Sequence, residues 1–199
     1  MKIIGVTGPS GSGKTVLTKY FDSIGIPTVD ADRVYHSLLI PPSTCLNAIR
    51  EKFGNAVFLS NGNLDRVALG AIVFNDPEKL KLLNSTVLCI VLDKIRELIS
   101  AFEANHFSAV IIDAPTLIES GFDKECDTVI SVIAPQEDRI VRISERDHIS
   151  EEKATERVKA QMNDEFYKIN SDFVLFNDGS EDDFLTKVKN LSIDLGFSR

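Results

Sequence analysis

The chain has 199 residues, of which 43% are hydrophobic and 26% are charged, which is enough for one compact domain with a substantial core. Its 22 lysines and arginines against 30 acidic residues disfavour non-specific nucleic-acid binding, because that binding needs a broad basic surface. Three widely spaced cysteines argue against a disulfide framework or a zinc knuckle, and no apolar run is long enough for a membrane span or a signal segment, so we expect a cytoplasmic protein.

The first predicted element is a short β-branched strand, KIIGVT, which ends at a glycine-rich loop. Residues 8–15, GPSGSGKT, complete the pattern G-x-x-x-x-G-K-[ST] of a phosphate-binding loop, and a helical pattern follows through TVLTKYFDSI. Lys14 can charge-pair with the β- and γ-phosphates, and the Thr15 hydroxyl can complete a Mg²⁺ shell. The residues predicted to bind ATP in this loop are Gly8, Ser10, Gly11, Ser12, Gly13, Lys14 and Thr15.

Further apolar strands follow at IPTVDAD, SAVIIDAP and DTVISVIAP, the last two ended by proline. Strands that alternate with helices predict an α/β fold with a parallel sheet, whose ligands bind at the carboxyl edge of the strands. The glycine loop and the DAD acids, Asp30 and Asp32, are both expected at that edge. No Asn-Lys-x-Asp motif follows a later strand, which argues against a GTPase.

Two helical segments interrupt this pattern. We expect residues 32–105 to form a helical substrate lobe, in which Asp76 caps a helix that begins at Pro77. Residues 136–170 are predicted as a charged helical lid that is divided near Asp147 and restarts after the cap Ser150. The prediction is therefore a single domain with its core at about 1–31, 106–135 and 171–199.

Phosphoryl transfer needs a carboxylate beside the acceptor hydroxyl, and Asp32 at the end of the second strand suits that role. Helix capping is the alternative for both Asp30 and Asp32. Asp113, which closes the AVIID strand, resembles the acid that holds Mg²⁺ in P-loop enzymes, with a turn-forming acid as the alternative. Arg142 and Arg146 lie one helical turn apart and can face the same phosphates, although a solvated helix face is the plainer interpretation.

Motifs along nearly the whole chain resemble those of the dephospho-coenzyme A kinase family: GxTGxxGSGKT, GIPxxDAD, NLDRVALGAIVFNDPEKLKLLN, IIDAPTLIESG and RISERDHISEEKATERVKAQM. The resemblance implies a P-loop kinase core with a helical substrate lobe and a lid, which transfers the γ-phosphate of ATP to the ribose 3′-hydroxyl of dephospho-coenzyme A with Mg²⁺. It implies the catalytic roles of Asp32, Lys14, Arg142 and Arg146. It also implies that Asp32, Asp65, Arg66, Asp113 and Arg157 bind substrate, that Asn177 binds ATP, and that Thr15 and Asp113 hold the metal.

The chain departs from the family pattern at a few positions. Leu88 and Cys89 stand where a His-Pro pair is usual, His148 replaces the usual glycine of the lid, and Phe176 replaces an aspartate before Asn177. The first change touches acceptor binding. Another nucleoside or small-metabolite kinase, a non-catalytic nucleotide or coenzyme A sensor and a regulatory P-loop switch therefore stay open as alternatives. We expect ATP and dephospho-coenzyme A as partners, with no nucleic acid or membrane, and the sequence predicts no oligomeric state.

Overall fold

The strands assemble into one five-stranded sheet in the computed structural model, which describes residues 1–197. The strands are β1 (Lys2–Thr7), β2 (Thr28–Asp30), β3 (Ala109–Asp113), β4 (Thr128–Ile133) and β5 (Phe173–Phe176). The helices are α1 (Lys14–Ser23), α2 (Ala31–Leu38), α3 (Thr44–Phe53), α4 (Arg66–Val73), α5 (Pro77–Ala104), α6 (Gln136–Asp147), α7 (Glu151–Lys159), α8 (Asp164–Ile169) and α9 (Glu181–Asp194). Short 3₁₀ turns occupy Asn55–Val57 and Phe122–Glu125.

The sheet has the strand order β2-β3-β1-β4-β5, and β1 is parallel to both β3 and β4. β5 extends the sheet parallel to β4. Because β1 and β3 are covered on both faces, they consist of continuous apolar runs. The register sets Val6 of β1 beside Asp113 of β3, so both strands end at the same edge. The α/β fold predicted from the alternation of strands and helices is confirmed.

The chain divides into two compact units, which we call the sheet unit and the helical unit. The sheet unit contains residues 1–29 and 102–197, and the helical unit contains residues 30–101. In the sheet unit, α1 and α9 contribute Phe21 and Phe184, both 1% exposed or less, to a core that includes Ile111 and Val132 of the strands. Burial of such side chains is the main source of folding free energy.

The helical unit has its own smaller core. Cys45 and Ile49 of α3 pack with Leu69 and Val73 of α4, and side chains from the first half of α5 complete the cluster. Its helices begin at capping side chains, as the sequence predicts for α5, where Asp76 accepts hydrogen bonds from the two backbone N–H groups that follow Pro77.

The lid region contains the two predicted helices, α6 and α7, joined by a tight turn. Ser150 caps α7 by accepting from the N–H of Lys153 at 3.4 Å, and Ile143, Ala154 and Val158 form the apolar contact between the two helices. The sequence patterns missed α8, a six-residue helix that follows them. Among residues 1–197, the model contains no helix with the length and apolar character that crossing a membrane requires.

His148 ends α6 in a left-handed backbone conformation, with φ of 53°. This conformation costs a residue with a Cβ about 1–2 kcal/mol, a cost that glycine does not bear. We therefore expect His148→Gly to raise the free energy of unfolding by about 0.5–1 kcal/mol, after allowing for the greater freedom of glycine in the unfolded chain. Urea denaturation measures the change, with His148→Ala as the control that gains nothing. A less stable glycine variant would show that the His148 side chain itself holds the turn.

Candidate active site

The glycine loop lies so close to its neighbours that two of its residues have no space for a side chain. Gly8 has φ of +131°, and a Cβ there would lie 2.1 Å from the carbonyl oxygen of Val132 in β4. Gly13 has φ of +104°, and its Cβ would lie 2.3 Å from the Nδ2 atom of Asn177. Real Cβ contacts are not this short, so these positions require glycine for both conformation and space.

The N-terminus of α1 opens directly from this loop. Gly13 is its N-cap residue and offers no side-chain cap, and the first turn contains no acidic residue. The leading N–H groups and the positive end of the helix dipole therefore favour an anion at this point. The Lys14 ammonium folds back over the loop and donates to the carbonyl oxygens of Gly8 at 2.7 Å and Pro9 at 3.1 Å.

Three oxygen-bearing side chains of the predicted ATP and metal sites belong to this part of the sheet unit. Thr15 is exposed in the first turn of α1, and Asp113 is the last residue of β3. The Ser12 hydroxyl is fully buried within the loop and has no hydrogen-bond partner among the described residues. A hydroxyl and a carboxylate are the hard oxygen donors that Mg²⁺ prefers. Residues 1–197 contain no cluster of three His, Cys, Asp or Glu suited to a metal, so phosphate and water would have to supply most of its ligands.

Both predicted lid arginines contact the loop. Arg142 donates from Nη1 to the carbonyl oxygen of Gly11 at 3.1 Å, and Arg146 donates from Nη2 to the Ser10 hydroxyl at 3.3 Å. Their side chains are 35% and 58% exposed, respectively. The structure therefore brings two flexible cationic groups to the loop that carries Lys14.

Asp147 joins two of the predicted site arginines. Arg146 makes a bidentate contact with it, from Nε at 2.8 Å and from Nη2 at 3.0 Å, and Arg157 of α7 donates to the same carboxylate. The hydrogen bonds from Arg146, followed by those from Arg157, lower the pKa of Asp147 from 3.8 to about 2. The sequence marks Asp147 only as a helix boundary, so this role was missed.

Asn177 supports the loop from inside the protein. It is 6% exposed, its backbone N–H donates to the carbonyl oxygen of Ile133 at 2.8 Å, and its side-chain amide donates to the carbonyl oxygen of Ser12 at 2.8 Å. The structure thus places Asn177 against the loop backbone, while its direct contact with ATP stays a prediction.

The DAD acids of the helical unit divide the two roles that the sequence left open. Asp30 is the N-cap of α2, accepting from the N–H of Arg33 at 2.9 Å and pairing with the Arg33 guanidinium at 3.3 Å. Asp32 lies in the first turn of the same helix, is exposed, and among residues 1–197 makes no hydrogen bond or ion pair through its carboxylate. The capping alternative therefore holds for Asp30 and is removed for Asp32.

The other predicted acceptor residues also lie in the helical unit. Asp65 caps α4, because its Oδ1 accepts from the backbone N–H groups of Val67 and Ala68, and Arg66 is exposed at the first position of that helix. Leu88 and Cys89 are both exposed on α5. Asp65 thus has a structural role that the sequence motif did not indicate.

Comparison with known proteins adds independent findings. The family model described as CoaE, dephospho-CoA kinase, matches residues 2–183. A dephospho-CoA kinase from Idiomarina loihiensis is 35% identical over 189 residues, which is 95% of this chain and 92% of that protein. The crystal structure of a Thermus thermophilus protein has a TM-score of 0.79 at 32% identity and covers 98% of this chain and 97% of its own. Dephospho-CoA kinase from Campylobacter jejuni has a TM-score of 0.71 at 27% identity, covering 98% and 99% of the two chains.

Loss of the buried amide of Asn177 would leave the Ser12 carbonyl oxygen without this donor. We expect Asn177→Ala to lower the free energy of unfolding by about 1–3 kcal/mol, the cost of an unsatisfied buried polar group. Exposed Asn170 also donates from its amide to a helix carbonyl, that of Phe166 at 2.7 Å, and serves as the matched control. Asn170→Ala should change the same quantity by less than about 0.5 kcal/mol. Equal losses in both variants would contradict the structural role of Asn177.

The lowered pKa of Asp147 has a consequence for acid stability. Because the folded-state pKa is depressed, the stabilisation is present above the unfolded value of about 3.9 and is lost as the pH falls towards 2. We expect the difference in unfolding free energy between the native chain and Asp147→Asn to be constant above about pH 5 and to shrink towards pH 2. Urea denaturation across that range checks it, and a difference that does not vary with pH would show that the arginine contacts add no stability.

Proposed function

The chain belongs to the dephospho-CoA kinase family, and on that basis we propose that it transfers the γ-phosphate of ATP to the ribose 3′-hydroxyl of dephospho-CoA, the last step of coenzyme A biosynthesis. The observation that carries the proposal is the glycine loop, complete from residue 8 to residue 15, with Arg142 and Arg146 of α6 in contact with it. That arrangement supplies cations on two sides of one phosphate-binding concavity.

The sheet unit forms the donor half of the proposed site. The N–H groups of the loop and of the first turn of α1 hold the β- and γ-phosphates, and the Lys14 ammonium exchanges the carbonyl oxygens of Gly8 and Pro9 for phosphate oxygens. The exchange has a modest cost, because the ammonium leaves two neutral acceptors for a charged one. Mg²⁺, held through the Thr15 hydroxyl and the Asp113 carboxylate, would neutralise charge on the phosphates.

Charge that develops during transfer would be met by the lid arginines. Both guanidinium groups are partly exposed and currently contact loop oxygens, so a rotation of their side chains is sufficient to reach a phosphate. Arginines in this role contribute about 10³–10⁵ in rate in other phosphoryl-transfer enzymes. Asp147 restricts Arg146 and Arg157 to a shared direction, which lowers the entropy that each loses on binding a phosphate.

The helical unit contributes the acceptor half. Asp32 accepts the proton of the 3′-hydroxyl as its oxygen attacks the γ-phosphorus, and the bond to the β-phosphate oxygen breaks to release ADP. Asp32 suits this role because Asp30 caps α2 and leaves the Asp32 carboxylate exposed. Exposed Arg66 would meet a phosphate of the acceptor, and Asp65 fixes the start of the helix that presents it.

A coupled assay for ADP release, with direct measurement of nucleotide affinity, tests the role of Asp32. We expect Asp32→Asn to lower kcat by about 10²–10⁴, the usual contribution of a general base, with ATP affinity unchanged within about twofold. Asp30→Asn is the matched control, because asparagine retains the capping contact, and it should keep kcat within about threefold. An unaltered kcat in Asp32→Asn would remove Asp32 from the mechanism, and a wild-type chain without ADP release would remove the proposed function.

A further inference from the structure

We propose that Arg139 and Gln161, which no motif of the sequence marks as functional, are positioning residues that fix the Ser10 peptide of the phosphate loop for nucleotide binding. Arg139 lies in α6, and Gln161 follows the end of α7. Neither residue belongs to the loop, and each acts on the nucleotide through the loop backbone.

Both backbone polar groups of Ser10 are held by this pair. The Ser10 N–H donates to Oε1 of Gln161 at 3.2 Å, and the Ser10 carbonyl oxygen accepts from Nε of Arg139 at 3.1 Å. Arg139 also donates from Nη2 to the same Gln161 oxygen at 2.7 Å, which closes the ring of contacts. A side-chain pair that engages the N–H and the C=O of one residue fixes the orientation of that residue.

Burial makes this arrangement different from the other arginine contacts with the loop. Arg139 is only 4% exposed, whereas the side chains of Arg142 and Arg146 are 35% and 58% exposed. A buried guanidinium keeps its partners because losing them leaves an uncompensated charge. Arg139 is therefore the fixed member of the three, and the two exposed arginines are the ones free to turn towards phosphate.

The loop needs such an external restraint. Ser10 lies between Gly8 and Gly11, and glycines give the unliganded backbone many alternative conformations. The α6 backbone also closes on the loop here, since a Cβ at Gly11 would lie 2.9 Å from the carbonyl oxygen of Arg139. Fixing Ser10 before the nucleotide arrives removes part of the ordering cost of binding.

The same contacts set the position of the lid helix relative to the loop. Arg139, Arg142 and Arg146 are spaced by three and four residues, so they share one face of α6. Because Arg139 fixes the start of that face to Ser10, the two arginines that follow it come to Gly11 and to the Ser10 hydroxyl.

Calorimetric titration with the non-hydrolysable ATP analogue AMPPNP tests the proposal, which rests on the proposed function only in taking ATP as the ligand. We expect Gln161→Leu and Arg139→Met each to weaken AMPPNP binding about tenfold, the effect of losing one well-formed hydrogen bond to the loop. Because the two side chains form one ring, the double variant should be no weaker than the weaker single variant. Gln136→Leu, the same change at an exposed site of α6, should bind normally.

Steady-state kinetics separate positioning from a general structural role. The KM for ATP should rise in Gln161→Leu, while the KM for dephospho-CoA and the melting temperature without nucleotide stay close to wild type. Unchanged AMPPNP affinity, losses that multiply in the double variant, or a loss explained by partial unfolding would each overturn the proposal. If Arg139→Met fails to fold, half-buried Gln161 alone decides. A wild-type chain that binds AMPPNP without consuming dephospho-CoA refutes the proposed function and leaves this proposal standing.

Discussion

Close packing of the phosphate loop against β4, α6 and Asn177 is the constraint on which the rest of the site depends. At Gly8 and Gly13 a single added carbon would lie within 2.3 Å of a neighbouring atom, so the backbone itself forms the contact surface. This packing aims the N–H groups at one concavity and brings the α6 arginines to its rim. The precision of the donor half therefore comes from the sheet and the helices around the loop, because the loop alone is too flexible to provide it.

Much of this fold could be predicted from local sequence, and the reasons differ between elements. Buried parallel strands are continuous apolar runs, so β1, β3 and β4 are evident, and short-range caps such as Asp76 and Ser150 mark helix starts because their partners lie within three residues. The six-residue α8 carries too little periodicity to be recognised. The Ser10 contacts were missed for another reason. They join residues 129 and 151 positions apart, and no local pattern distinguishes buried Arg139 from its exposed neighbours on α6.

The two halves of the site differ in how strongly the fold constrains them. The donor half depends on backbone geometry, so most of its residues follow from the requirements of the loop. The acceptor half depends on a few exposed side chains of the helical unit, such as Asp32 and Arg66, whose identity the packing does not dictate. This difference explains how Leu88 and Cys89 can stand on α5 where the family usually has His-Pro without any change in the glycine loop. The capping contact of Asp30 is the local interaction that separates a structural acid from a reactive one in this half.

Identification of the product tests the central claim most directly. The purified chain is incubated with ATP, Mg²⁺ and dephospho-CoA, and in parallel with adenosine and other small hydroxyl acceptors, and the products are examined by ³¹P NMR and mass spectrometry. The account predicts stoichiometric ADP and a single new phosphomonoester on the ribose 3′-oxygen of dephospho-CoA, with far slower turnover of the other acceptors. Efficient phosphorylation of a different acceptor, with dephospho-CoA left unchanged, would contradict it.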